Sequence, residues 1–378
     1  MKKIMLVFGT RPEAIKMAPL VKAIEKDDEL ECVVAVTAQH REMLDQVLEL
    51  FKIKPQYDLN LMKDNQTLSD ITSGVLKGIE KVVLKEKPDM VLVHGDTSTT
   101  FAGALAAFYA QVPVGHVEAG LRSGDIYSPF PEEMNRRLTG VLSSVNFAPT
   151  TTAKNNLLRE GVDEGKIFVT GNTVIDALLS IVDDNYQLES DLADFLAKNK
   201  QTVLITAHRR ENQGQPMVQI FQAVRKLHEE LPEVGFVFPV HKNPRVRALA
   251  HEALDGLERV KMIEPLDYEP FANLMNRVDL IMTDSGGLQE EAPALGKPVL
   301  VLRENTERPE AVEAGTVALV GTDNEKIFTT AKTLLTDQKA YEAMEKAVNP
   351  YGDGKACRRI VQAIKYYFGE AEKPKDWQ

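Results

Sequence analysis

Asp284, Ser285, Gly286 and Gly287 follow a short apolar strand and open a helix, inside the run TDSGGLQEEAPALGKPVLVLRENTERPE that spans Thr283 to Glu310. Paired glycines at a helix start let a ligand approach bare backbone N–H groups, and the helix dipole makes that turn attractive to phosphate. Glu290 and Glu291 fall in the first helical turn, Pro298 leads into the next strand, and Arg308 lies in the loop after it. One strand-helix-strand unit therefore offers an anion cradle, a carboxylate able to take sugar or ribose hydroxyls, and a guanidinium. The plainer alternative is that the two glycines only make a tight turn.

A second set of polar residues collects in the N-terminal half. Arg11 and Lys16 flank the start of a helix whose first position is Pro12, where a missing N–H costs nothing. Asp96, in HGDTSTT, is either a helix N-cap or a reactive carboxylate. Glu118 ends an apolar strand, where an acid is costly unless it is paired or used. Glu132 and Glu133, in SPFPEEMNRR, are either first-turn helix acids served by Arg136 and Arg137 or part of a site. His208 and His241 end two strands of the second half, and Arg209 and Arg210 beside His208 suggest that it faces an anion or an acidic residue. Carboxylates set against a phosphate cradle suit proton removal and return on a ligand anchored by its diphosphate.

These residues need elements to hold them. Short β-branched runs alternate with helical ones, the pattern of parallel βαβ units. Expected strands are Ile4 to Phe8, Cys32 to Thr37, Met90 to His94, Val114 to Val117 and Val145 to Ala148. After a polar, acidic stretch from Asp183 to Lys200 the pattern resumes with Val203 to Thr206, Gly235 to Val240, Lys261 to Ile263, Leu280 to Met282 and Val299 to Leu302. Helices are expected over Pro12 to Lys26, Gln66 to Lys85, Thr99 to Ala110 and Ala356 to Tyr367. The fold class is therefore α/β, with two Rossmann-like doubly wound domains facing a cleft, over 1–170 and 171–354. The final segment, 355–378, is expected to pack back on the first domain. The polar residues named above fall beyond the carboxyl ends of strands, where such sheets bind ligands.

Bulk properties fit. A chain of 378 residues is long for one core. Its formal charge of −11, without a basic block, argues against a nucleic-acid-binding surface. Cys32 and Cys357 lack metal-type spacing and read as reduced thiols of a cytoplasmic protein. The N-terminal apolar run is too short for a signal peptide, and nothing approaches a membrane span. There is no GxGxxG, no GxxxxGK[ST] and no GxSxG, so nicotinamide, P-loop and serine-hydrolase chemistry lose support.

GTRPEAIKMAPL, TAQHREMLDQVL, VHGDTSTT, GHVEAGLRSGD, SPFPEEMNRR, GNTVIDAL, TAHRREN, TDSGGLQEEAP, ERPEAVEAGT and NPYGDG occur in that order along nearly the whole chain. Together they resemble the bacterial non-hydrolysing UDP-N-acetylglucosamine 2-epimerases. The resemblance implies the glycosyltransferase-B architecture and reversible conversion of UDP-GlcNAc to UDP-ManNAc without metal or nicotinamide. UDP would be expelled to give 2-acetamidoglucal and then added back, feeding cell-surface polysaccharide synthesis. It places Asp96, Glu118, Glu132 and His208 as catalytic residues. Arg11, Lys16, His241, Ser285, Gly286, Gly287, Glu291 and Arg308 would bind substrate, with Glu291 on the ribose hydroxyls. It also implies a homodimer and a second UDP-GlcNAc bound as activator near Gln39, Gln66 and Arg209. Glu42 and Asn65 stand where Gln and Arg are expected in activator-dependent members, which weakens that last expectation. A hydrolysing epimerase or a glycosyltransferase of the same fold is the alternative.

Overall fold

The computed structural model describes residues 1–38, 41–61 and 65–377. The chain divides into two units, Met1–Ser180 together with Tyr351–Gln378, and Ile181–Pro350. The first is built on strands β1 (Lys2–Phe8), β2 (Leu30–Val36), β3 (Tyr57–Asp58), β4 (Met90–His94), β5 (Val114–Val117), β6 (Val145–Ala148) and β7 (Ile167–Val169). All its pairings are parallel, in the order β3-β2-β1-β4-β5-β6-β7. The second carries β8 (Gln201–Thr206), β9 (Val234–Pro239), β10 (Val260–Ile263), β11 (Leu280–Thr283), β12 (Val299–Val301) and β13 (Val317–Leu319). They too are parallel, in the order β10-β9-β8-β11-β12-β13.

Each sheet thus runs outward in both directions from its first strand, the 3-2-1-4 order of a Rossmann fold. Strands buried on both faces need unbroken apolar runs, which is why Ile4 to Phe8, Val203 to Ile205 and Leu280 to Met282 are all fully buried. The topological switch points lie between β1 and β4 and between β8 and β11. Ile4 pairs with Met90, and Thr206 with Thr283, so paired strands end side by side and their following turns are neighbours.

The expected boundary at 170/171 lies instead at Ser180/Ile181. The helix Thr173–Ile181 is tied to the first unit's final helix, Ala356–Tyr367. Asp176 accepts the first two N–H groups of that helix, from Ala356 at 3.1 Å and Cys357 at 2.8 Å. Asn172 N–H donates to Tyr351 O at 2.7 Å. The last helix buries Ala356, Cys357, Ile360, Val361, Ala363 and Ile364 on one face and packs on the helix Arg11–Glu25. Lys365 reaches Asp27 at 3.2 Å, and Tyr366 lies edge-on to Phe168. The acidic stretch after Asp183 is not all linker, since Ser190–Lys198 is helical.

Candidate active site

In the first unit the turn after β1 is fixed by a buried acid. Thr10 caps the helix Arg11–Glu25, and Glu13 closes a capping box. Glu13 Oε2 accepts the N–H groups of Gly9 at 3.0 Å and Thr10 at 2.8 Å. Its Oε1 accepts the hydroxyls of Thr97 at 2.6 Å and Thr100 at 3.1 Å. One carboxylate therefore joins the turns after β1 and β4 across the switch point. Burial pushes the Glu13 carboxyl above the usual range, against those donors. A Cβ at Gly9 would lie 1.9 Å from Thr37 Oγ1, so only glycine fits there. Arg11 follows at the first helical position, without an ion-pair or hydrogen-bond partner among the described residues.

The helix Ser98–Tyr109 is capped by Thr97 and not by Asp96. Asp96 is thereby left for other work, and its carboxylate pairs with Arg136. Arg136 is also held by the fully buried Glu133 at 3.0 Å. Glu133 further takes Arg137 at 3.2 Å and the Ser123 N–H at 3.1 Å, so it is the structural acid of the pair. Glu132 Oε2, by contrast, is buried without a hydrogen-bond partner among the described residues.

Glu118 sits just beyond β5 with φ of 62°, the left-handed region that side chains other than glycine seldom adopt. Its Oε1 takes the Lys16 ammonium and the Asn172 amide, the latter at 2.9 Å. Its Oε2 lies 3.6 Å from Nε2 of buried His94. Burial lowers His94 to about 4, against the raising pull of Glu118, so the ring stays neutral beside the carboxylate.

In the second unit, β8 and β11 end side by side, with the Thr206 and Thr283 hydroxyls 2.6 Å apart. Asp284, fully buried, accepts at Oδ2 from His208 N–H (2.8 Å), Arg209 N–H (2.9 Å) and Asn212 Nδ2 (3.0 Å). The imidazoles of His208 and His241 stack with centroids 5.2 Å apart and planes 8° from parallel. His241 Nδ1 accepts the Asn243 N–H at 3.1 Å, which leaves Nε2 as the neutral ring's donor. Burial and the neighbouring His208 lower the His241 pKa.

Gly286 and Gly287 do not have the positive φ of a glycine-demanding turn. Cβ atoms there would come no closer than 3.7 Å and 3.5 Å to other groups. The tight-turn explanation is therefore the weaker one, and the missing side chains leave room against the backbone. Glu291, buried, accepts the Tyr268 hydroxyl at 3.0 Å. Arg308 is not a bare cation, because buried Glu290 pairs with its Nε.

Of the residues expected near an activator, Gln39 lies outside the described residues. Gln66 belongs to the first unit, beside a small cavity with Thr37, Ile71 and Thr99. Arg209 belongs to the second unit, 3.8 Å from Glu307. Asp284 is among the strand-end polar residues noted from the sequence, though without a role, whereas Glu13, His94, Arg136, Asn172 and Tyr268 are not singled out there as site residues. His94 and Asp284 carried a usable signal, since both are polar at or just beyond the end of an apolar strand.

The UDP-N-acetylglucosamine 2-epimerase family model matches residues 22–365. UDP-N-acetylglucosamine 2-epimerase of Bacillus subtilis is 56% identical over 374 residues, covering 99% of this chain and 98% of the relative. The S. aureus MnaA–UDP co-structure has 55% identity and a TM-score of 0.88, with both chains fully covered. UDP-GlcNAc 2-epimerase from Neisseria meningitidis bound to UDP-GlcNAc has 50% identity and a TM-score of 0.83, covering 96% of this chain and 100% of the other. With two Rossmann-type sheets, acids gathered at one switch point, and agreement over its length at this identity, the chain belongs to the non-hydrolysing UDP-N-acetylglucosamine 2-epimerase family.

Proposed function

We propose that this enzyme epimerises UDP-N-acetylglucosamine and UDP-N-acetylmannosamine at C2 by eliminating and re-adding UDP, in the service of surface-polysaccharide synthesis. A base takes the C2 proton, the C1–O bond to the β-phosphate breaks, and the C1=C2 bond of 2-acetamidoglucal forms as UDP leaves with the electron pair. Return of UDP to C1, with protonation of C2 on the opposite face, gives the epimer. Two acid/base groups are needed because the two faces differ.

The observation that carries this reading is Glu118, an acid held beyond a strand end in a left-handed backbone conformation between Lys16, Asn172 and neutral His94. Asp96 and Glu132 join it as the acid/base set. His208 is the fourth catalytic residue, while Ser285, Gly286, Gly287, His241 and Arg308 hold the diphosphate, with Arg11 and Lys16 beside it, and Glu291 takes the ribose hydroxyls. Charge grows on the diphosphate as it departs, so these donors act most strongly in the transition state.

Three further parts belong to the proposal. The protein is a homodimer and works in the cytoplasm, where its two free thiols stay reduced. A second UDP-GlcNAc activates it through Gln39, Gln66 and Arg209, with Glu42 and Asn65 weakening that site.

Incubation with UDP-GlcNAc in D₂O tests the chemistry. Deuterium should enter C2 of both epimers while the nucleotide-sugar persists. Failure to exchange would remove the mechanism, and accumulation of ManNAc with free UDP would mark a hydrolysing enzyme instead.

A further inference from the structure

We propose that Asp284 is a positioning residue for His208, receiving the imidazole Nδ1–H so that Nε2 is the atom presented to bound nucleotide-sugar. The inference rests on the reading above, in which His208 acts on the UDP-sugar.

The two oxygens of Asp284 have different tasks. Oδ2 holds the loop after β8, through the N–H groups of His208 and Arg209 and the Asn212 amide. Asn212 also donates to Leu302 O at 3.0 Å, which ties that loop to the end of β12. Oδ1 takes no part in this, and it is buried without a hydrogen-bond partner among the described residues. The group it faces is His208 Nδ1, at 3.4 Å. A buried carboxylate oxygen costs free energy unless a donor serves it, and the imidazole N–H is the donor within reach. A separation of 3.4 Å is long for a hydrogen bond, as such contacts often are without ligand, and a small ring rotation closes it.

The surroundings leave this partner uncontested. The other ring against His208 is His241, whose Nδ1 is already occupied by the Asn243 N–H. The adjacent cation, Arg209, is drawn toward Glu307. His208 is exposed and Asp284 fully buried, so a ring anchored at Nδ1 by that acid keeps Nε2 for the ligand. An anchored imidazole reaches the transition state with its orientation already set, and a carboxylate behind it stabilises the imidazolium beside a departing diphosphate.

The test uses the whole enzyme labelled with ¹⁵N-histidine, with the His208 signals assigned by their loss in His208→Gln. At alkaline pH, where the ring is neutral, long-range ¹H–¹⁵N spectra of the wild type should show the Nδ1–H tautomer. The Nε2–H tautomer would overturn the proposal, and this reading needs no variant to fold. Asp284→Asn keeps an acceptor oxygen for the loop but turns an amide toward the ring. It should lower kcat about 10²-fold while UDP affinity stays within about threefold. Unchanged kcat, or UDP affinity falling in step with kcat, would assign Asp284 a purely structural role. If His208→Gln itself turns over normally, the role given to His208 fails and the positioning role falls with it. If His208→Gln is slow and Asp284→Asn is not, only the positioning role fails.

Discussion

Glu118 shows how one side chain is made ready by its neighbours. Left-handed backbone outside glycine costs on the order of 1–3 kcal/mol and persists only where the surroundings impose it. Lys16 and Asn172 both bind Oε1, and His94 lies beside Oε2, so the two oxygens are not equivalent. Gly95, with φ of 67°, leaves the space, since a Cβ there would come within 3.3 Å of Oε2. Replacing Glu118 by Gln keeps the shape and removes the base. Turnover should fall by about 10²–10⁴-fold, with UDP affinity nearly unchanged because UDP is held from other residues. Steady-state kinetics beside a UDP-binding isotherm decide it, and a variant of normal rate takes Glu118 out of the mechanism. The sequence announced this acid through its place after an apolar strand. It did not announce the partners, because Lys16 lies 102 residues away and Asn172 lies 54 away, and only the folded sheet brings them together.

At the scale of elements, every expected strand has a counterpart, because central strands buried on both faces write themselves as unbroken apolar runs. The strands that escaped were β3, β7 and β13, all near sheet edges and two or three residues long. Too few residues leave no period to read. Polar side chains inside central strands are the other deviation, and they carry a cost that pH exposes. His116, in β5, is fully buried, with Nε2 2.7 Å from Gly95 O and no partner at Nδ1 among the described residues. Burial lowers its pKa from 6.5 to about 4, against the raising effect of that carbonyl, and His94 in β4 is lowered likewise. The unfolded ring binds a proton at a higher pH than the folded one. Stability is therefore full above about 6.5 and declines as pH falls toward about 4. Between pH 7 and pH 5 each ring should remove about 2 kcal/mol. Glu13 and Asp176, with raised carboxyl values, push the other way in part of that window. Urea titrations at both pH values should show the loss, and His116→Gln should shrink it to roughly half. An equal loss in that variant would mean that His116 is not its source.

For the whole molecule, the informative surface is apolar. The helices Leu68–Glu86, Ser98–Tyr109 and Glu132–Leu142 pack side by side on one face of the first sheet. All three return antiparallel to parallel strands, so their C-terminal ends share one edge of the unit. That edge carries Leu84, Phe108, Tyr109, Leu138 and Val141, with Phe108 55%, Tyr109 59% and Val141 85% exposed. Single exposed apolar residues need no explanation, but five at the ends of three neighbouring helices form a patch of the kind that marks an interface. A twofold axis through such a patch sets it against the same patch of the second copy, the isologous arrangement of most homodimers. The proposed homodimer is therefore expected to use it. Val141→Glu would set two carboxylates against each other across the axis region and leave the monomer's core untouched. Val348→Glu, at another exposed valine in the second unit, is the control. Sedimentation equilibrium should give a dimer for the wild type and the control and a monomer for Val141→Glu, with circular dichroism unchanged in all three. A wild type that sediments as a monomer would refute the homodimer. A Val141→Glu variant that remains a dimer would place the interface elsewhere on the surface.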